Sequence, residues 1–311
     1  MYDRIAGNVR KSWMLVGVFF LLTGAIGYFF GYFTGLGMWG LGVAMAFSVA
    51  MSWGSYFASD KIALSMSRAV PADETQFAQL HNIVEGLAIA AGIPKPRVYL
   101  IEDMAPNAFA TGRNPEHAAV ALTTGLMLKM KRYELEGVIA HELAHVKNRD
   151  TLVMTLAVTL VGVIVLLADW MMRALWWGAD EAEGKAFAPL AILGVVLMIT
   201  APVFAQLLQF AISRRREFLA DAEAVFLTRY PDGLISALEK LRDDSTVVRS
   251  GNKATSHLWI EEPNARHAHE GGSRVGKSGA WLNRLFDTHP PLEERIAALR
   301  SLAPQPARPA V

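Results

Sequence analysis

The residues best placed to do chemistry are His141-Glu142-Leu143-Ala144-His145. On a helix, residues four apart share a face, so both imidazoles can reach one ion. Glu142 is turned by about 100° from His141 and flanks the same side, placed to take a proton from a metal-bound water. Leu135, Val138, Ile139, Leu143, Ala144 and Val146 surround these residues and make the helix largely buried. Histidines and a glutamate left unpaired in such a setting are costly. The chain has no cysteine, so a third ligand must be His, Asp or Glu. A catalytic zinc site uses three protein ligands and keeps a fourth position open. The best candidate for the third is Glu217, in Arg216-Glu217-Phe218-Leu219-Ala220-Asp221. Asp221 lies four residues on, on the same helical face. There it can accept the outer N–H of a ligand histidine and fix its tautomer.

The elements that must position these groups are mostly apolar. Of 311 residues, 52% are hydrophobic and 19% charged, and the formal charge is +1. These values exclude intrinsic disorder and argue against a purely soluble protein. The near-zero charge argues against a nucleic-acid partner. Without cysteine there is no disulfide frame, iron–sulfur cluster or thiol nucleophile.

Charge-free runs set the topology. None of the residues between Lys11 and Asp60 is charged. As one helix that run would be roughly 72 Å long, against about 30 Å of hydrocarbon, so it must cross twice. The turn falls at Phe33-Thr34-Gly35-Leu36-Gly37, with spans near 12–33 and 36–58. Two further runs give spans near 151–168 and 187–212, the last containing Pro189 and Pro202. Basic residues flank the same side each time: Arg4, Arg10 and Lys11; Lys61 and Arg68; Lys147 and Arg149; Arg214 to Arg216. This places both termini and both polar segments in the cytoplasm, with the lipid bilayer as the chain's first partner. The first run follows a basic tail as a signal peptide does. It runs straight into a second span without a convincing small-residue cleavage site, and is read as retained.

The organisation is therefore a transmembrane hairpin (1–60), a polar half-domain carrying the histidine helix (61–150), a second hairpin (151–213) and a second polar half (214–311). In 61–150, helical spacing covers Asp73–Ala91 and ends at Gly92-Ile93-Pro94. Arg97–Ile101 and Ala118–Thr123 read as strands and Tyr133–Asn148 as a helix. In 214–311, helices are expected at Ser213–Leu227, Gly233–Arg242 and Pro291–Leu302, with a loop over 245–287. His81, His117 and His257 read as ordinary surface or core residues, and His267 and His269 as solvated in a Gly-rich loop. The fold class is an α+β membrane protein, mainly helical, with four transmembrane helices and a zincin-like cytosolic domain holding a small sheet.

The pattern His141-Glu142-Leu143-Ala144-His145, then Glu217 with Asp221, then Thr288-His289-Pro290-Pro291 ahead of Glu294-Arg295-Ile296, resembles HtpX-type membrane zinc metallopeptidases. These are gluzincins related to the CAAX prenyl proteases. The segment Asn107-Ala108-Phe109-Ala110-Thr111-Gly112 matches as well. The resemblance runs over nearly the whole chain and implies one Zn2+ per chain, held by His141, His145 and Glu217, with Glu142 as the base. It implies that His289 and Arg295 approach the site, where an N–H donor would stabilise an oxyanion. It also implies that Asn107, Ala108, Phe109 and Ala110 form an edge to which an extended substrate adds as a strand.

Helix lengths put His145 roughly 9 Å before the third span and Glu217 roughly 6 Å after the fourth. The metal then sits just below the cytoplasmic membrane face. That position suits membrane-protein and unfolded polypeptide substrates, hence a quality-control endopeptidase of the inner membrane. The alternatives are a CAAX-type processing protease and a catalytically silent scaffold or chaperone adaptor. An intramembrane protease would carry the histidine pair inside a span, whereas Lys129, Lys131, Arg132, Glu134, Glu136, Lys147, Arg149 and Asp150 surround it here.

Overall fold

The structure is a computed structural model and describes residues 2–34, 37–156, 214–248, 258–260 and 290–302. Two long helices open the chain, α1 (Tyr2–Thr34) and α2 (Met38–Met66). Each contains a stretch long and apolar enough to cross a membrane, Ile5–Ala25 and Met38–Ala58. The break between them falls at the Gly-rich segment anticipated, where Gly37 adopts φ +56°. The spans expected near 151–168 and 187–212 lie almost entirely outside the described residues.

Beyond α2 the chain builds a four-stranded mixed sheet in the order β1-β2-β4-β3, with β1 (Val70–Pro71), β2 (Arg97–Ile101), β3 (Ala108–Thr111) and β4 (Ala119–Thr123). β2 runs parallel to β4, which forces a crossover between them, while β1 pairs antiparallel with β2 and β3 antiparallel with β4. β4 is buried on both faces, as its apolar run demands. β3 is therefore an edge strand. Helix α3 (Ala78–Ala91) ends where Gly92 takes the left-handed conformation, φ +70°. It starts five residues later than periodicity suggests. The Asp73 carboxylate instead accepts the backbone N–H groups of Thr75 and Gln76 and holds a turn ahead of the helix.

The short helix α4 (Thr124–Lys129) leads into α5 (Arg132–Lys147), the helix of the histidine pair. α5 packs against β3, against α7 (Arg214–Thr228) and against α8 (Pro231–Asp243). Its approach to α8 is close. A Cβ at Gly137 would stand 2.7 Å from the Leu234 backbone nitrogen. A further helix covers 150–156 (α6), and α9 (Leu292–Leu302) packs on α7 and α8. One apolar core joins α3, the sheet, α5 and α8. A second joins Leu15 of α1, Ala63 and Leu64 of α2, Phe109 of β3, Val153 and Met154 of α6, and Trp259. Helix and strand positions thus follow the sequence expectations for β2, β4, α5, α7, α8 and α9. β1 and α4 were not foreseen: β1 is two residues long, and α4 has six residues capped by the Thr123 hydroxyl, which accepts from Leu126 N–H at 3.1 Å.

Candidate metal centre

α5 presents His141, Glu142 and His145 at its buried face, and α7 brings Glu217 from a point 72 residues beyond His145 in the chain. One ligand atom from each of His141, His145 and Glu217 lies within 4.8 Å of the others. The two imidazole Nε2 atoms are 3.2 Å apart. Glu217 Oε2 is 3.6 Å from His141 Nε2, and Oε1 is 3.6 Å from His145 Nε2. The outer nitrogens face carboxylates: His141 Nδ1 lies 2.9 Å from Asp221 Oδ1, and His145 Nδ1 lies 3.1 Å from Asp150 Oδ2. An imidazole that donates Nδ1–H to a carboxylate keeps its Nε2 lone pair free and aimed at its neighbour. Two such lone pairs and a carboxylate converging in a buried site form a donor set suited to a divalent cation.

The cavity over these residues is small, about 10 Å³. Its walls are Ala110 of β3, His141, Glu142 and His145 of α5, Glu217 of α7, Thr151 and Met154 of α6, and Leu258-Trp259-Ile260. That last segment lies on the edge strand. The Ile260 N–H donates to the Ala108 carbonyl at 2.9 Å, and the Trp259 ring meets Phe109 edge-on at 4.9 Å.

Burial sets the proton affinities. Being buried raises the Glu142 carboxyl above its ordinary range, against the pull of His141 and His145. Burial and Arg295 pull His141 down, but without a cation its contacts with Asp221 and Glu217 outweigh them and push it up to about 9, so a metal bound at Nε2 would displace a proton. Asp221 is raised by burial and lowered more strongly by Arg295 and His141, ending at about 2. Arg295 sits fully buried and grips Asp221 with two bonds, Nε to Oδ2 at 2.9 Å and Nη2 to Oδ1 at 2.6 Å. Its Nη1 lies 3.6 Å from Glu217 Oε2 and donates to the Ile260 carbonyl at 3.3 Å. Its Nη2 lies 3.3 Å from His141 Nδ1 and 3.4 Å from His141 Nε2, so the guanidinium lies directly against the ligand set, although it is not among the cavity walls.

Of the residues singled out from sequence, His141, Glu142, His145, Glu217, Asp221 and Arg295 come together here. Asn107, Ala108, Phe109 and Ala110 lie at or on the edge strand, with Ala110 on the cavity wall. His289, His257, His267 and His269 lie outside the described residues. His81 is buried on α3 with Nε2 3.1 Å from the Ala72 carbonyl, and His117 lies exposed against Asn114. Sequence reasoning did not single out a role for Asp150, or the 258–260 segment. The signal for Asp150 was its place five residues after His145, just past the end of α5; for 258–260 no local signal exists.

Residues 74–303 match the family model described as Peptidase family M48. The chain belongs to this family. Among the relatives of this M48 peptidase are a protease HtpX homolog of Thermoanaerobacter pseudethanolicus, 44% identical over 97% of this chain and 98% of its own length, and one of Streptococcus pneumoniae, 41% identical over 97% and 100%. The chain is thus an HtpX-type M48 metallopeptidase, as its motifs indicate. In fold it is similar to the crystal structure of S. mikatae Ste24p, with a TM-score of 0.50 at 19% identity, over 96% of this chain and 67% of that one.

Proposed function

We propose that this M48 metallopeptidase is a zinc endopeptidase of the cytoplasmic membrane that cleaves misfolded or damaged membrane proteins. His141, His145 and Glu217 would hold the zinc and Glu142 would serve as the base. The observation that carries this reading is the convergence of two Nε2 atoms and one carboxylate, with the buried Glu142 on the same cavity wall. Zinc bound there would supply Lewis acidity, lowering the pKa of a water toward about 7 and polarising a peptide carbonyl.

The chain's own residues account for the rest. Glu142, its proton affinity raised by burial, can take a proton from water and return one to the leaving amine. Asp221 fixes the tautomer of His141, and Arg295 holds Asp221. That geometry supports a positioning role for Arg295, whereas the resemblance suggested direct stabilisation of the oxyanion. The resemblance also implies an oxyanion donor at His289, which lies outside the described residues. β3 offers an edge for a substrate strand at Asn107–Ala110. A peptide adding there must displace the Ile260 N–H from the Ala108 carbonyl. Backbone pairing tolerates many sequences, which suits clearance of diverse unfolded chains.

The exposed apolar flanks of α1 and α2, together with the basic flanks, support a multi-pass topology with both termini cytoplasmic. In that arrangement the polar stretches 61–150 and 214–311 form one cytosolic domain. The test is metal content and cleavage of casein or an unfolded membrane protein by the full chain in detergent, with and without chelator. Chelator-sensitive cleavage with one zinc per chain is the expected result. Undiminished cleavage by Glu142→Gln, or a chain that holds no metal, would overturn it.

A further inference from the structure

His141 and His145 are held in the same way, and only one of the two arrangements is contained within the peptidase half of the chain. His141 leans on Asp221, and Asp221 is gripped by Arg295 of α9. His145 leans on Asp150, and the donor behind Asp150 comes from the N-terminal membrane helix. Asn8 Nδ2 donates to Asp150 Oδ1 at 2.7 Å and to the Asn148 carbonyl at 2.8 Å, so both of its amide hydrogens are used. Arg216 Nη1 stands 3.5 Å from the same Oδ1. Asn8, Asp150 and His145 are all buried. Asp150 reaches its place because Arg149 takes the left-handed conformation, φ +56°, between α5 and α6 and turns the chain back towards His145.

We infer that Asp150 is a positioning residue for His145, and that Asn8 of α1 holds Asp150, which makes the first membrane helix part of the frame of the metal centre. The physical reason is the tautomer. With Nδ1–H committed to Asp150, His145 shows a lone pair at Nε2; without that acceptor, the tautomer carrying its proton on Nε2 competes and closes the ligand position. Asn8 fixes the carboxylate that makes the choice. The inference rests on the ligand assignment proposed above, and its test separates the two.

The experiment uses the full chain in detergent and measures zinc affinity by chelator competition, together with the visible absorption of the cobalt-loaded protein. Wild type should bind one metal. Asp150→Ala should bind it about 10–100-fold more weakly, the usual cost of losing an outer partner of a ligand histidine. Asp150→Asn, whose carbonyl can still accept Nδ1–H, should recover part of the loss and serves if the alanine variant does not fold. Asn8→Ala should weaken binding in the same direction but by less, and should have no further effect when Asp150 is already alanine. A residue that only caps α5 would lower the melting temperature without moving affinity or the cobalt spectrum. Wild-type affinity and spectrum in both Asp150 variants would overturn the inference, as would an Asn8→Ala loss that persists in the Asp150→Ala background. A wild type that binds no metal would bring down the ligand assignment, and this inference with it.

Discussion

The apolar hairpin of α1 and α2 and the candidate metal centre invert the usual order of a folded protein in opposite ways. In α1 and α2 many of the large apolar side chains face outwards: Trp13, Leu21, Trp39, Val43 and Trp53 are each more than two-thirds exposed, whereas Leu15 and Phe19 are buried. The faces they share carry small and hydroxylated residues, including Gly27 opposite Gly40, and Thr23 hydrogen-bonded to Ser48. This is the arrangement that suits a lipid solvent, where tails are as apolar as leucine and helices join through close packing and hydroxyl bonds. At the metal centre the surface is ordinary and the interior is charged. His141, Glu142, His145, Asp150, Glu217, Asp221 and Arg295 are all buried within a few side-chain lengths of one another. Buried charge is tolerated only when each group has a partner. The hairpin therefore stores weak, replaceable interactions, and the site stores strong, interdependent ones.

The sharpest way to break that contrast is at the chemistry itself. Glu142→Gln keeps size and burial but removes the proposed base, and should lower peptide hydrolysis by about 10²–10⁴-fold with metal content unchanged. Turnover and metal analysis on the same preparation check it. Glu217→Ala removes the proposed third ligand, and should cost metal affinity more than the roughly 10–100-fold that follows loss of an outer partner. Unchanged stoichiometry would move the third ligand elsewhere. The two variants separate loss of the base from loss of the cation.

Arg295→Met comes next. The guanidinium is fully buried and neutralises Asp221 while lying 3.6 Å from Glu217. Removing it leaves buried carboxylates short of a cation, and breaking such a pair costs about 3–5 kcal/mol. Thermal or denaturant unfolding of the metal-free chain should show that loss. A change under about 1 kcal/mol would mean that the cluster is far better solvated than its burial indicates.

These long-range contacts also mark where sequence reading stops. The pair His141 and His145 was legible because helix periodicity fixes which residues share a face. Glu217 and Asp221 were legible for the same reason, each within its own helix. That Arg295 packs against Asp221, His141 and Glu217 depends on how α9 docks on α7, and no periodicity encodes that. Asp150 depends on a single left-handed residue, Arg149, which no glycine announces. Leu258-Trp259-Ile260 on the edge strand is a contact some 150 residues distant in the chain. β2 and β4 were visible as apolar runs. The start of α3 was not, because the Asp73 side chain competes with the helix for the backbone N–H groups.

At the start of α5 the same kind of buried pairing occurs without catalysis. Glu134 is buried and accepts from Ser236, from Lys240 and from the Lys131 backbone N–H, each at 2.6 Å. Burial pushes its proton affinity up, but these three bonds outweigh it and hold the carboxyl below its ordinary value of 4.5. Because the folded value is the depressed one, the stabilisation is present above that ordinary value and is lost as pH falls through the lower folded value. Lys240→Met should remove about 1–3 kcal/mol near neutral pH and flatten the acid limb of the stability curve. Denaturant midpoints from pH 7 to pH 3 test it, and parallel curves for the two proteins would refute it.

The smallest effect is expected in the hairpin. Thr23 and Ser48 meet across α1 and α2, and each hydroxyl has a carbonyl of its own helix within reach, Phe19 for Thr23 and Ala44 for Ser48; whichever hydroxyl donates across the pair gives up its own carbonyl, to which it can return. Loss of the partner therefore leaves neither oxygen stranded. That redundancy separates this pair from the Arg295–Asp221 pair, where loss of the guanidinium takes a cation from Asp221 and Glu217 together. A double-mutant cycle with Thr23→Val and Ser48→Ala should give a coupling of about 0.6 kcal/mol, the average for such bonds between membrane helices. Unfolding in mixed micelles measures it. A coupling of several kcal/mol would place the hairpin in the same energetic class as the metal centre and dissolve the distinction between them.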